Sequence, residues 1–212
     1  MTDAVEELVR ITFKKNKILT FGPEHVFKSL QLMTAQKYVS RATLCIELEL
    51  GEGSVRTILL HLKKSGYIDS IKSGNFLLKK GLDLIKKLQK SISAECRVPD
   101  GFFNSKYSYA VLLKDFANQI TDGMKERDDA IRSGVFSSIT LIFRDNHFVI
   151  PFNEYSNTID DPEIEDFLND KLRPQNNDVV VIISAKNTIT AELSAKSVAI
   201  LSLRPRQPTL IL

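Results

Sequence analysis

Apolar positions first recur at helical spacing near the start of the chain. Val5, Leu8, Val9 and Thr12 predict an amphipathic helix from Asp3 to about Phe13. Phe21-Gly22-Pro23 interrupts the pattern, and Pro23 followed by Glu24 is a favourable helix start. Val26, Phe27, Leu30 and Met33 or Thr34 give the next helix its apolar face. Ser40 is placed to cap a third helix, Arg41 to Glu49, with Leu44, Ile46 and Leu48 as its apolar positions. Leu50-Gly51-Glu52-Gly53 reads as a tight turn.

The stretch GEGSVRTILLHLKKSGYI, from Gly51 to Ile68, carries the densest signal. Val55, Ile58, Leu59 and Leu62 follow the i, i+3, i+4, i+7 rule, so one face is buried. Thr57, Leu60 and Lys64 lie opposite, with Arg56 and His61 on the shoulders. Ser54 sits at or beside the N-cap, and Gly66 stops the helix. Residues 67–72 then alternate, Ser73-Gly74-Asn75 is a turn, and Phe76-Leu77-Leu78 returns, which predicts a β-hairpin. A Lys-rich helix, Lys79 to about Ser91, closes the unit with Leu82, Ile85 and Leu88 inward. Helix, helix, turn, helix, hairpin, helix is the order of a winged helix-turn-helix.

From about Arg97 the pattern changes. Val98-Pro99-Asp100-Gly101 reads as a linker or a strand end. A strand at Ser108 to Phe116 and a helix at Asp122 to Arg132 follow. Two strands within Ser137 to Phe152 flank the turn Arg144-Asp145-Asn146-His147. Next come an acidic helix from Glu163 to Leu172, the buried strand VVVII, a long helix from Ile189 to Leu203 and an extended tail at Thr209 to Leu212. The expected fold class is α+β: a winged helix-turn-helix at residues 1–95 and an α/β sandwich at residues 96–212, one sheet covered by helices.

Composition narrows the class without naming a function. The chain has 212 residues, 43% apolar and 26% charged, and no run approaches a membrane span. Acids in MTDAVEELVR stand where a signal peptide needs bases, and Cys45 and Cys96 lack CxxC spacing. The expectation is a cytoplasmic protein with free thiols and no membrane association. Through Glu95 there are 16 Lys and Arg against 10 Asp and Glu, and beyond it 13 against 16. A polyanion partner therefore belongs at the first half.

Over the whole chain, Gly51 to Ile68 together with DGMKERDDAIRSGVFSSITLIFRDNHFVIP resembles a family of archaeal two-domain winged helix-turn-helix proteins. Their C-terminal α+β domain has no known function. The matching positions are Arg127, Asp128, Ala130, Ile131, Gly134, Thr140 and Pro151. Leu77-Leu78-Lys79-Lys80-Gly81 departs from the Leu-Thr-x-x-Gly often seen after a wing, which leaves the last helix without a hydroxyl cap. The resemblance implies a transcription regulator and assigns no activity to the second half.

A helix entering the major groove presents its N-terminal residues to base edges and phosphates. The expected DNA-binding residues are Ser54, Arg56, Thr57, His61 and Lys64, with Lys72 on the wing. Arg56 suits a bidentate contact, whereas Lys64 and Lys72 are point charges for the backbone. Leu60 could meet a thymine methyl, the second domain or a partner subunit. Lys79, Lys80, Lys86, Lys87 and Lys90 fit either a solvated face or a backbone contact. The first helix could be a dimer seam or a cap on its own core. Arg127 and Asp128 could pair with each other or with a ligand. Asp160, Asp161, Glu163, Glu165 and Asp166 open a helix, where acids meet the positive end of the dipole, so a metal is not required. His25, His61 and His147 lack ligand spacing, and GxSxG, P-loop and GxGxxG motifs are absent. No catalytic residue, metal or cofactor is expected. The expected partners are double-stranded DNA and a second copy of the chain, with a small-molecule effector at the second half as a further option. The alternative function is a protein-docking winged helix without DNA binding.

Overall fold

The computed structural model describes residues 2–12, 19–132, 135–151, 159 and 161–204. Phe13, Gly134, Phe152, Asp160 and the tail at Thr209 to Leu212 lie outside the described residues.

The chain folds as helices followed by a mixed α+β half. Helices α1 (Thr2–Thr12), α2 (Pro23–Ala35), α3 (Arg41–Leu48) and α4 (Glu52–Lys64) precede a hairpin of β1 (Ile68–Ile71) and β2 (Gly74–Leu77), and α5 (Lys79–Gln89) follows it. The predicted apolar face of α2 is buried through Val26, Phe27, Leu30 and Met33, and that of α4 through Val55, Ile58 and Leu62, while Leu59, expected in the same stripe, is half-buried at the edge. Ser40 caps α3 by accepting from the Thr43 amide at 3.0 Å.

Several details differ from the expected pattern. Helix α4 begins at Glu52 with Gly51 as N-cap, so Glu52 and Gly53 are its first turn and Ser54 is its third residue. In α1 the fully buried positions are Ala4, Val5, Leu8 and Ile11, while Val9 and Thr12 are half-buried. Ile46 is 70% exposed on α3. In α5, Leu84 rather than Leu82 points inward with Ile85 and Leu88. These misassignments come from reading period alone, where the position of the neighbouring helices chooses the buried stripe.

Two glycines fix how the hairpin is held. Gly74 has φ +139°, and a Cβ there would meet the Val39 backbone at 2.9 Å. That close approach lets Val39 bridge Asn75 through two backbone hydrogen bonds of 2.9 Å, with the Asn75 side chain donating to the Val39 carbonyl as well. Gly81 lets α5 pack on the hairpin root, since a Cβ there would sit 2.3 Å from the Tyr67 carbonyl oxygen. As the sequence departure implies, Leu78 precedes α5 as its N-cap and offers no side-chain cap.

The second half is a five-stranded antiparallel sheet in the order β3-β4-β7-β5-β6. Its strands are β3 (Ile92–Val98), β4 (Ser108–Leu113), β5 (Ser137–Arg144), β6 (His147–Val149) and β7 (Val179–Ser184). Strand β3 ends at Val98, where the sequence offered a strand end or a linker, and the boundary drawn between residues 95 and 96 falls inside it. Its sequence ISAECRV alternates apolar and polar residues along its whole length, so the period-two signal was present and was passed over. Strand β7 is buried at every position, as a central strand covered on both faces must be. One face packs on α7 (Pro162–Leu172) through Ile164, Leu168 and Leu172. The other packs on α6 (Met124–Arg132) and α8 (Thr188–Ser202). The core on this second face runs on without a break into the core of the first half.

The two halves also meet through buried charge. Lys196 of α8 is fully buried and pairs with Glu95 of β3 at 2.5 Å and Glu192 at 3.1 Å. Lys28 of α2, 3% exposed, reaches Glu192 at 2.8 Å and Glu47 of α3 at 3.6 Å. Gln31 donates to Glu95 at 3.1 Å. The Lys196 ammonium also lies over the rings of Phe27 and Tyr109, which cation–π attraction favours. Burial, then the nearby Glu95 and Glu192 charges, hold the Tyr109 phenol neutral far above its ordinary range.

Candidate functional site

Helix α4 and the hairpin enclose an open groove of about 450 Å³. Arg56, Leu60 and Lys63 line it from α4, Ile71 and Lys72 from the hairpin, and Arg41 from α3. Positions 56, 60 and 63 follow the i, i+4, i+7 rule, so one helical stripe faces the hairpin. Arg56 and Lys72 are exposed, and neither has an ion-pair partner among the described residues. Arg41 leans towards Glu52 at 3.5 Å. Lys63 pairs with Asp69 of β1 at 2.8 Å, and this side-chain contact lowers the Asp69 pKa. The pair ties α4 to the hairpin and leaves Arg56 and Lys72 as the uncompensated charges.

The six expected site residues therefore separate. Arg56 and Lys72 come together in the groove. Lys64 is exposed near the C-terminal end of α4 but does not line it. Ser54 shares a 2.6 Å hydrogen bond with Thr20, and the Thr57 hydroxyl donates to the Gly53 carbonyl at 2.9 Å. The His61 ring nitrogen lies 2.9 Å from the Ile11 carbonyl, with the ring edge-on to Phe21. Ser54, Thr57 and His61 thus stitch α4 to the preceding chain and to its own backbone. Arg41, Lys63 and Ser73 line the groove and were not among the expected residues. Lys63 was findable as the position seven residues beyond Arg56.

Of the Lys-rich α5, Lys80 has a structural partner: its ammonium donates to the Ser65 carbonyl at 3.0 Å and lies over the Tyr67 ring. The Tyr67 phenol donates to Glu7 at 2.6 Å, and burial with that carboxylate raises its pKa well above the usual range. In the second half no ion pair joins Arg127 to Asp128 among the described residues. Asp161 caps α7 by accepting from the Glu163 and Ile164 amides. Glu165 accepts from the Phe148 amide at 3.1 Å and so clamps β6 to α7.

Geometrically this is a mixed α+β chain in which a helix and hairpin frame a cationic groove. Two family models match it side by side: "PH0730-like, N-terminal domain" over residues 27–91 and "Domain of unknown function (DUF4443)" over residues 104–203. The chain is also similar to a solved structure titled "Hypothetical protein PH0730 from Pyrococcus horikoshii OT3", with 27% identity and a TM-score of 0.70. That likeness covers 84% of this chain and 90% of the archaeal one, so the two-part arrangement extends across both. No curated protein matches. Among the described residues no helix is long and apolar enough to cross a membrane.

Proposed function

We propose that the chain is a DNA-binding transcription regulator whose first half acts as a winged helix-turn-helix. In this reading α4 is the recognition helix and the β1–β2 hairpin is the wing. The observation that carries it is the convergence of Arg56 and Lys72, both without an ion-pair partner, in one groove between helix and hairpin. A guanidinium there suits a base edge or a phosphate, and an ammonium on the wing suits the backbone. Ser54, Thr57 and His61 support α4 rather than read DNA. The second half serves as a sensing or dimerising domain, and two copies place two α4 helices about one helical turn of DNA apart.

The test is fluorescence anisotropy of a mixed-sequence duplex across a salt series. Wild type binds with a steep salt slope. Arg56→Ala with Lys72→Ala weakens binding and lowers the slope by about 2, since each phosphate contact contributes roughly 0.9. Indifference of the wild type to duplex at low salt would end this reading.

A second reading, docking of a protein partner, is favoured by Leu60 and Ile71, 47% and 50% exposed in the same groove. Binding through those side chains would vary little with salt.

A further inference from the structure

A second cationic cleft lies where the two halves join. Helix α5 ends at Gln89, Lys90 caps it, and β3 begins two residues later. The β3–β4 register then slips between Ile92 and Ala94, leaving Ser93 as an extra, unpaired residue. Bulges of this kind re-aim a side chain and cluster near sites. Around Ser93 opens a cleft of about 810 Å³, lined by Lys90, Lys114, Lys171 and Arg173 against one acid, Asp170. That volume lies within the range of small-molecule pockets.

Helix capping accounts for part of this charge. Lys90 and Arg173 sit at the C-terminal ends of α5 and α7, where cations oppose the dipole. It does not account for Lys114, which follows a strand. The Lys114 ammonium is held at 2.7 Å by Asp178, with Gln175 at 3.3 Å. Asp178, almost fully buried, is itself fixed by the Asp115 and Gln175 amides. A braced ammonium of this kind is oriented before any ligand arrives, which lowers the ordering cost of binding. Lys171 pairs with Asp170 at 2.8 Å, whereas Lys90 and Arg173 have no ion-pair partner among the described residues. Arg173 is in the left-handed conformation with φ +49°, its amide bonded back to Asn169.

We propose that this cleft binds a small phosphorylated molecule. Arg173 and Lys90 supply the mobile contacts, Lys114 the fixed one and Ser93 a hydroxyl. A planar guanidinium with flanking ammonium groups matches the several acceptor oxygens of a phosphate. Because Lys90 belongs to α5 and the other cations to the sheet half, the ligand spans the joint between the halves. The inference does not depend on DNA binding by α4.

The test is titration calorimetry of the full-length protein with inorganic pyrophosphate at fixed ionic strength, beside a sodium chloride control. Wild type and Arg56→Ala with Lys72→Ala bind alike, whereas Lys90→Ala with Arg173→Ala binds about tenfold more weakly or worse, the loss expected for about 1.4 kcal/mol. Circular dichroism melting establishes that the Lys90 and Arg173 variant is folded. Lys90→Gln and Arg173→Gln, made singly, each show part of the loss and serve in its place if the double variant is unfolded. No heat beyond the chloride control, or equal affinity in the Lys90 and Arg173 variants, overturns the proposal. A duplex that displaces pyrophosphate from the Arg56 and Lys72 variant would give the phosphates to nucleic acid and overturn it as well.

Discussion

Lys196 and Lys28 at the joint between the halves, and Arg56 and Lys72 in the groove, put the same charge to opposite uses. The first pair has left water altogether, and each ammonium is matched by carboxylates at hydrogen-bond distance. The second pair stays hydrated and has no ion-pair partner among the described residues. Removing a charge from water costs several kcal/mol unless a partner and hydrogen bonds replace the solvent, so a buried lysine is committed to its internal partner. An exposed arginine incurs no such cost and stays available to an outside anion. Position relative to solvent, not residue type, divides internal fasteners from contact groups.

The largest test of this contrast is Lys196→Ala. It leaves Glu95 without its ammonium and Glu192 with Lys28 alone, and urea denaturation should show a loss of about 3 kcal/mol. A loss below about 0.5 kcal/mol would mean that water already reaches the network. Next is Arg56→Ala with Lys72→Ala, whose stability should stay within about 0.5 kcal/mol of wild type while its duplex affinity falls. If this variant loses stability like the first, the groove charges are internal fasteners too, and the contrast collapses.

Cys96, beside Glu95 on β3, reports burial through a single thiol. Burial pushes its pKa up to about 11, partly opposed by the Lys171 charge. Alkylation by iodoacetamide should therefore climb about tenfold per pH unit from pH 8 to 10, and levelling by pH 9 would contradict the burial. Because the folded pKa lies above the unfolded value, the thiol's contribution is intact below about pH 8.5 and is lost as pH rises towards 11. The smallest effect belongs to Asp69, an exposed carboxylate whose pKa is lowered by Lys63. Its contribution is present above the ordinary carboxylate pKa and fades on acidification. A carboxyl resonance of Asp69 titrating at the ordinary value would show that the pair does not persist in solution.

Much of the first half was legible because its signals are local. The stripe Val55, Ile58 and Leu62, the Ser40 cap and the alternation around Ser73-Gly74-Asn75 each depend on a few consecutive residues. The groove was half legible. Arg56 and Lys72 could be paired from the expected order of elements, yet the hydrogen bonds of Ser54 and His61 could not be foreseen without knowing that Thr20 and Ile11 approach α4. The Lys28–Glu192–Lys196–Glu95 network was not legible, because its partners lie up to 164 residues away along the chain. A lysine in an amphipathic helix gives no local sign that its neighbour will be a distant carboxylate.

The central place of β7 has a consequence for how the chain is made. Its neighbours β4 and β5 are both synthesised earlier and each bonds to β7, so the sheet stays split in two until residue 184 has left the ribosome. Glu192 and Lys196 emerge later still. Until then Lys28 lacks its nearest carboxylate, and the helices of the first half expose the surface that α8 will cover. That interval is when the nascent chain is most open to a chaperone.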